Sequence, residues 1–289
     1  MPSLKEVKLK IVGVKKTAQI TKAMNMVAAA KLRGAQEKME AFRPYASKFT
    51  DTMSNLSAGA TTGQFPLMTV RPVSAVELIV VTSDRGLCGS FNANILKRAE
   101  ALAKAYEAEG KKVSFVCVGK KGYQALRKTG KVRKHYSNIM AHFKMFHARE
   151  IATEITEQFL NGNVDKVEVV YSSFKSVAQQ VPATANLLPV QPVEASQDDT
   201  TKISGEYTYE PSAEEIVDVL QPLYLNVIIY HAMLEVSASE HAARMTAMDN
   251  ATSACKDIVA NLTIVYNKAR QAAVTSELMD IVGGAEALK

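Results

Sequence analysis

The chain has 289 residues, of which 47% are hydrophobic and 22% are charged, so its length suits one large domain or two ordinary ones. This composition excludes wholesale disorder. The sequence contains no run of 18 apolar residues, so no membrane-spanning helix is predicted. Residues 1–50 carry 11 Lys and Arg against 3 acids, and residues 97–150 carry 14 against 4. Residues 151–289 instead carry 8 against 19, which predicts that distant parts of the chain meet each other or different partners.

Three further features narrow the class of protein. Cys88, Cys117 and Cys255 are far apart and form no C-x-x-C pair, so we expect buried thiols in a reducing compartment and no disulfide framework. Aromatic residues make up only 7%, without tryptophan, which argues against a nucleic-acid binder that stacks bases. The first ten residues contain no apolar stretch after their charges, so we expect no secretory signal.

The first predicted element is a long helix with one apolar stripe. Its apolar positions recur with alternating gaps of three and four residues, the spacing of a coiled coil. They are Leu4, Val7, Ile11, Val14, Ala18, Thr21, Asn25, Ala28, Leu32, Ala35, Met39 and Phe42, with Thr21 and Asn25 as a polar break. The pattern predicts a coiled-coil helix over residues 1–57.

The middle of the chain alternates strand and helix patterns. Buried-strand runs are predicted at 76–82, 112–118 and 166–173, and the segment 179–188 is an edge strand because it contains Pro182. Helices are predicted at 92–109, 120–128 and 147–160. This order is typical of a mostly parallel sheet, here a Rossmann-like α/β domain over 75–190. Residues 191–211 are polar and are predicted to form a surface loop and foot segment.

A second long helix is predicted over 212–289, beginning with a capping box at Ser212 and Glu215 and ending at Gly283-Gly284. Pro222 is expected to kink it early. Its predicted coiled-coil positions are Ile216, Leu220, Leu223, Val227, Tyr230, Leu234, Ser237, His241, Arg244, Met248, Ala251, Cys255, Ile258, Leu262, Val265, Ala269, Ala272, Ser276 and Met279. The two terminal helices thus bracket the α/β domain and are predicted to pair as a long antiparallel coiled coil.

The register of that pair follows if the polar breaks near residues 23 and 241 lie opposite each other. Residue i then faces roughly residue 264 − i, so Phe42 faces the Leu220–Leu223 turn. The last two dozen residues extend beyond the pair as a single helix. A slip by one heptad is compatible with the same pattern.

Motifs for independent chemistry are weak. The chain contains no G-x-x-x-x-G-K-[ST] and no G-x-G-x-x-G after a strand, and its histidines have no metal-binding spacing. Residues 85–90 follow the first strand, where open α/β folds bind ligands, so they form either a phosphate cradle or a tight structural turn. We expect no catalytic residue, no cofactor and no metal.

Polar groups on the second helix have two readings each. Glu240 and Arg244 form either a solvated i,i+4 pair or, since Arg244 lies on the apolar stripe, a pair that a partner uses. Arg270, Gln271, Thr275 and Glu277 precede the apolar end Leu278–Val282. This end is either a frayed, solvated tail or a segment held by a surrounding partner.

Three blocks of sequence, in order, carry a resemblance that covers nearly the whole chain. They are residues 20–33 (ITKAMNMVAAAKLR), residues 82–92 (TSDRGLCGSFN) and residues 240–288, which include Arg244-Met245, Tyr266-Asn267 and Arg270-Gln271-Ala272. The chain resembles the gamma subunit of F-type ATP synthases. It departs from that family only slightly, with Ala254-Cys255 where Asn-Ala is common and without the extra cysteine pair of redox-regulated chloroplast members.

The resemblance implies a central-stalk rotor that transmits torque between an ion-driven c-ring and a catalytic hexamer of three alpha and three beta subunits. It implies contact with the hexamer by Met24, Glu240, Arg244, Arg270, Gln271, Thr275 and Glu277. Lys22, Lys31 and Arg33 are added on charge alone, and Tyr207, Tyr209 and Glu210 match the segment that faces epsilon and the c-ring.

It also implies that nucleotide chemistry belongs to the other subunits, that no nucleic acid is bound, and that membrane association comes only through the complex. The expected place is the cytoplasmic face of a bacterial inner membrane. The alternative reading of the same pattern is a coiled-coil scaffold with an α/β head.

Overall fold

A computed structural model describes residues 3–59, 65–190 and 213–286 of the chain. It contains helix α1 (Leu4–Gly59) and helix α5 (Ala213–Glu286) at the two ends. Between them lie β1 (Ala75–Val81), α2 (Phe91–Ala108), β2 (Lys112–Val118), α3 (Lys120–Leu126), β3 (Val132–Tyr136), α4 (Met145–Leu160), β4 (Lys166–Phe174) and β5 (Gln180–Leu188). Short 3-10 helices cover Pro66–Met68 and Arg127–Thr129. The predicted fold class, long terminal helices around a central α/β sheet, is confirmed.

The chain divides into two compact units. The terminal unit consists of residues 1–30 and 244–289, and the central unit consists of residues 31–243. Each long helix contributes to both units. No helix among the described residues is long and apolar enough to cross a membrane.

The sheet of the central unit has the strand order β3-β2-β1-β4-β5. The first four strands are parallel, and β5 pairs antiparallel with β4 at one edge. Pro182 lies in this edge strand, as predicted, because an edge strand tolerates the missing N–H. One core cluster joins the sheet to α2 and α4 and to apolar residues of the long helices, among them Met53, Leu225 and Met233.

The sequence prediction missed β3. Its residues Val132, Lys134 and Tyr136 are half-buried and alternate with more exposed ones, but the run is rich in charge. Arg133 of β3 reaches the fully buried Glu77 of β1 through Nε and Nη2, at 2.6 and 2.8 Å, and also pairs with Glu154 of α4. These ion pairs stabilise a strand that the charge-rich sequence does not predict.

In the terminal unit the helices run antiparallel, because residues later in α1 contact residues earlier in α5. The Oγ1 atoms of Thr21 and Thr252 are 2.7 Å apart, and Nδ2 of Asn25 donates to the carbonyl of Met245 at 2.8 Å. In the central unit, the ring of Phe42 packs edge-on against Tyr230 at 5.0 Å. The predicted register, in which Phe42 faces Leu220–Leu223, is therefore wrong by about one heptad.

The physical reason for the register error lies in the polar break. Thr21 is satisfied by another threonine and Asn25 by a backbone carbonyl, so neither needs the polar side chains near residue 241 opposite it. A hydroxyl or amide buried in a helix interface needs a hydrogen bond, but a main-chain carbonyl serves as well as a side chain.

Two other details of α5 differ from prediction. The helix continues through Gly283 and Gly284 to Glu286, because glycine weakens a helix by about 1 kcal/mol but does not stop it. After Cys255 the less exposed positions are Val259, Leu262, Tyr266, Ala269 and Ala273. The predicted positions Ile258, Val265, Ala272, Ser276 and Met279 therefore lie outside the stripe, and so does Leu223, which is exposed. From residue 274 to residue 286 every position is exposed, a shorter unpaired end than the two dozen residues predicted.

Candidate functional site

Helix α1 presents its predicted partner-binding residues on two units. In the terminal unit Lys22 is exposed and Met24 is half-buried. In the central unit Lys31 and Arg33 are exposed, and Nε of Arg33 lies 3.2 Å from Glu37 one turn further on. Both members of that pair are largely exposed, so it contributes little stability and leaves the guanidinium accessible.

Glu240, of the central unit, and Arg244, of the terminal unit, are buried, at 7% and 8% exposure. The reading of these residues as a solvated surface pair is therefore wrong. A charge in the interior needs compensating partners, and a partner subunit reaches such groups only at their exposed edges. Their role in binding a partner stays a prediction.

The end of α5 brings the remaining predicted residues together on the terminal unit. Arg270, Gln271, Thr275 and Glu277 are all exposed, and Oγ1 of Thr275 donates to the carbonyl of Gln271 at 2.9 Å. The apolar residues that follow are also exposed: Leu278 at 57%, Met279 at 67%, Ile281 at 67% and Val282 at 56%. An exposed group of large apolar side chains of this kind marks an interaction surface.

Helical periodicity divides this end of α5 into two unlike faces. Residues 271, 275, 278 and 282 share one face, which reads Gln, Thr, Leu, Val. Residues 270, 274, 277 and 281 share another, which reads Arg, Val, Glu, Ile. The first face changes from polar to apolar towards the end of the helix, the second alternates polar and apolar, and of these two faces only the second carries charge.

Asp84, in the loop after β1, binds backbone groups of two neighbouring segments, and the choice between a phosphate cradle and a structural turn for residues 85–90 stays open. Oδ1 of Asp84 accepts hydrogen bonds from the backbone N–H groups of Lys120 and Asn138, at 2.9 and 2.8 Å, and Oδ2 accepts from Met140 at 2.9 Å. The Asp84 carboxylate thus accepts from the first N–H group of α3 and from two N–H groups of the segment after β3, and it ties the loop to both. Gly119 is required here, because a Cβ would lie 2.2 Å from the carbonyl oxygen of Thr82.

The cysteines are buried, as predicted. Burial raises the pKa of the Cys117 thiol to about 12, so it stays protonated at neutral pH. Tyr207, Tyr209 and Glu210, predicted for the foot, lie outside the described residues, as does Ser212 of the predicted capping box.

Sequence reasoning missed two residues that the structure singles out. Arg43 of α1 and Glu235 of α5 form an ion pair with an Nη2–Oε1 distance of 2.8 Å in the central unit. The available signal was a single acid between Leu234 and Val236 in an otherwise apolar run. Its partner could not be found from the sequence, because the two residues are 192 positions apart.

Comparison with known proteins assigns the chain to a family. A family model described as ATP synthase matches residues 3–288. The ATP synthase gamma chain of Desulfotalea psychrophila is 71% identical over 290 residues, which span 100% of both chains. The chain belongs to the ATP synthase gamma chain family. The gamma chain of Nitratidesulfovibrio vulgaris (strain Miyazaki F) is 50% identical, again over the full length of both chains.

Solved structures agree with this assignment. A chain in the cryo-EM structure of the central stalk and c-ring of the Tetrahymena thermophila mitochondrial ATP synthase is 28% identical, with a TM-score of 0.60. The match covers 80% of this chain and 99% of that one. A Euglena gracilis mitochondrial ATP synthase chain, 22% identical, has the same fold with a TM-score of 0.70. The sequence prediction of a rotor subunit of an F-type ATP synthase is confirmed.

Proposed function

We propose that this rotor transmits torque between a c-ring and a catalytic hexamer of three alpha and three beta subunits, with the end of α5 held inside the hexamer. The observation that carries the proposal is the unpaired, exposed end of α5, residues 274–286, with its five large apolar side chains. Burying one such side chain contributes about 1.5–3 kcal/mol, so a surrounding sleeve has a strong reason to bind them.

The polar residues next to that end are the proposed selective contacts. Arg270 and Glu277 offer a cation and an anion on one face of the helix, and Gln271 and Thr275 offer an amide and a hydroxyl on the other. On α1, Lys22, Lys31 and Arg33 offer exposed positive charge to acidic segments of the beta subunits. Met24, Glu240 and Arg244 complete the proposed contact set.

The two unlike faces of α5 supply the asymmetry that a rotary effector needs. As the helix turns, each beta subunit meets the charged face and then the uncharged one. A face shifts the conformational equilibrium of a beta subunit only by its differential contact energy with the two conformations. Rotation therefore imposes a different state on each beta subunit in turn.

At the opposite functional end, we propose that Tyr207, Tyr209 and Glu210 contact the epsilon subunit and the c-ring. Support for these three residues comes from the sequence match alone. We retain 1–57, 75–190, 191–211 and 212–289 as the functional division of the chain into helix, α/β domain, foot and helix.

We also propose that nucleotide chemistry takes place on the alpha and beta subunits and that this chain supplies no catalytic residue. Asp84 supports this, since its carboxylate already accepts from backbone N–H groups after β2 and β3, at the edge of the sheet where open α/β folds bind ligands. The gamma chains of Desulfotalea psychrophila and Nitratidesulfovibrio vulgaris are bacterial, which supports a peripheral position on the cytoplasmic face of the inner membrane.

Native mass spectrometry of the chain, co-expressed with the alpha and beta subunits of its source, tests the assembly. We expect one copy of the chain bound to three alpha and three beta subunits. A folded chain that remains alone would remove the hexamer from the proposal and favour a coiled-coil scaffold for other partners.

A further inference from the structure

Strand β4 extends beyond the strand that lies beside it in the sheet. Its pairing with β1 joins Val76–Val80 to Lys166–Val170 and ends there. Residues 171–174 of β4 continue and pair only with β5, on the opposite side. The backbone groups of Ser172 and Phe174 that face away from β5 therefore need partners other than a strand.

Side chains of the long helices provide those partners within the central unit. Oε2 of Glu235 accepts from the N–H of Phe174 at 2.6 Å, and Nη2 of Arg43 donates to the carbonyl of Phe174 at 2.9 Å. Oγ of Ser239, one turn beyond Glu235, donates to the carbonyl of Ser172 at 3.3 Å. The backbone N–H and carbonyl of Phe174 are thus both bound by the Arg43–Glu235 ion pair.

The ion pair itself has a fixed geometry. Nε and Nη2 of Arg43 both donate to Oε1 of Glu235, at 2.9 and 2.8 Å. Nε2 of His231 lies 3.4 Å from the same oxygen. The carboxylate is 2% exposed and the arginine 42%, so the pair spans from the interior to the surface.

Directional hydrogen bonds of this kind resist sliding and rotation, which the apolar core resists only weakly. Apolar burial resists separation of two surfaces, but it is non-directional and resists sliding weakly. Hydrogen bonds weaken steeply when their distance or angle changes, so a set that joins α1, α5 and β4 opposes rotation of the helices against the sheet. Charge-assisted bonds are the stronger members of such a set.

We propose that the Arg43–Glu235 pair on Phe174 is the junction that fixes the rotational register of both long helices against the α/β sheet and carries torque between them. This inference rests on the proposed function, since it names the residues through which the torque passes. Arg43 and Glu235 act as positioning residues and contact no nucleotide.

The test uses variants that break the junction without leaving a lone buried charge. The double variant Arg43→Met with Glu235→Gln removes both charges, keeps an unbranched side chain at 43 and the side-chain shape at 235, and keeps an acceptor for the N–H of Phe174. Arg43→Lys keeps the charge, but an ammonium cannot reproduce the planar fork that reaches Glu235 and Phe174 together. Glu107→Gln is the matched control, because it breaks the exposed Lys131–Glu107 pair within the α/β domain.

Torsional stiffness is measured on the assembled complex of this chain with the hexamer, epsilon and the c-ring. The hexamer is fixed to a surface, a nanorod is attached to the c-ring, and angular fluctuations are recorded without nucleotide. We expect roughly a two-fold larger angular variance in both junction variants, as bonds of strict geometry are lost, and no change in Glu107→Gln. A role confined to stability would lower assembly yield without changing this variance.

The outcomes separate the two proposals. Wild-type variance in junction variants that assemble overturns the junction and leaves the rotor function intact. If the double variant does not assemble, Arg43→Lys decides in the same way. If wild-type chain does not assemble with the hexamer and c-ring, the proposed function fails and the junction with it.

Discussion

The two units of the chain are stabilised internally by different kinds of contact. In the central unit a continuous apolar core joins five strands, α2, α4 and parts of both long helices. In the described part of the terminal unit, the buried apolar residues are Val7, Ala28, Met248 and Cys255, along one helix–helix interface. The same unit exposes many large apolar side chains, including Ile20, Val27 and Ile281.

This difference teaches that the two units gain stability from different sources. A two-helix interface buries little surface for the backbone entropy it must offset, so it is marginal without further partners. Exposed apolar side chains on the same unit then gain most from a surrounding complex. We conclude that the central unit carries the stability of the chain, and that the terminal unit is completed by assembly.

Matched methionine substitutions give the largest expected difference. Met233→Ala removes a fully buried side chain of the central unit, and we expect a loss of about 3 kcal/mol in its opening free energy. Met248→Ala in the terminal unit is expected to cost about 1 kcal/mol, since a single interface closes over the gap more easily. Hydrogen exchange of each unit measures both.

The control for that pair is Met26→Ala, which removes a side chain 58% exposed on α1 and should change stability by less than about 0.5 kcal/mol. Equal losses at Met233 and Met248 would show that the two units are equally self-sufficient and would break the comparison.

Acidification should weaken the central unit through Glu235. Burial alone raises the pKa of this carboxyl, but hydrogen bonds from His231, Phe174 and Arg43 outweigh burial and lower the pKa below its ordinary 4.5. Arg43, His231 and Tyr171 are the ionisable groups that face it. Since the folded-state pKa is depressed, the stabilisation is present above pH 4.5 and is lost as pH falls through the folded value.

The measurement is the unfolding midpoint in urea across that range, for wild type and Glu235→Gln. The difference between the two chains should shrink as pH falls below 4.5. A difference that stays constant would mean that the charge of Glu235 does not stabilise the fold.

Asn25 offers a smaller effect of opposite sign. Its amide is satisfied by the Met245 carbonyl, and a polar residue at a coiled-coil core position fixes register at some expense of stability. We expect Asn25→Leu to stabilise the terminal unit by about 0.5–1 kcal/mol, seen as slower hydrogen exchange over residues 246–252. Faster exchange there would show that the amide contributes net stability.

Arg270→Glu should have the smallest effect on the chain and a large one on the complex. The side chain is exposed, so the stability of the isolated chain should change by less than about 0.5 kcal/mol. ATP-driven proton pumping by the reassembled complex should fall. The matched control is Lys128→Glu, a reversal of the same charge on the α/β domain. Unchanged pumping in Arg270→Glu would remove this residue from the contact set.

Periodicity predicted the first helix well. All twelve predicted coiled-coil positions of α1 are half-buried or buried, because the alternating three- and four-residue spacing runs unbroken from Leu4 to Phe42. On α5 the prediction drifts after Cys255, since apolar residues at 258, 259, 264 and 265 allow more than one stripe. The local pattern does not say which of these the partner helix covers.

The sequence could not reveal which residues pair with each other when they lie far apart along the chain. Strand β3 depends on the ion pairs of Arg133 with Glu77 and Glu154, and the junction depends on Arg43, Phe174 and Glu235. The exposed residues on α5 that we propose as contacts could be singled out from the sequence because they lie in one continuous segment with a motif. The junction was missed because its three parts lie in three distant segments.

Rotation of this chain inside the hexamer is the most direct test of the account. The hexamer is fixed to a surface through its beta subunits, and a nanorod is attached to a cysteine introduced by Lys128→Cys on the exposed α/β domain. On addition of ATP we predict continuous rotation of the nanorod in one direction, at a rate that follows ATP hydrolysis. ATP hydrolysis by the assembled complex with the nanorod stationary would contradict the rotor function.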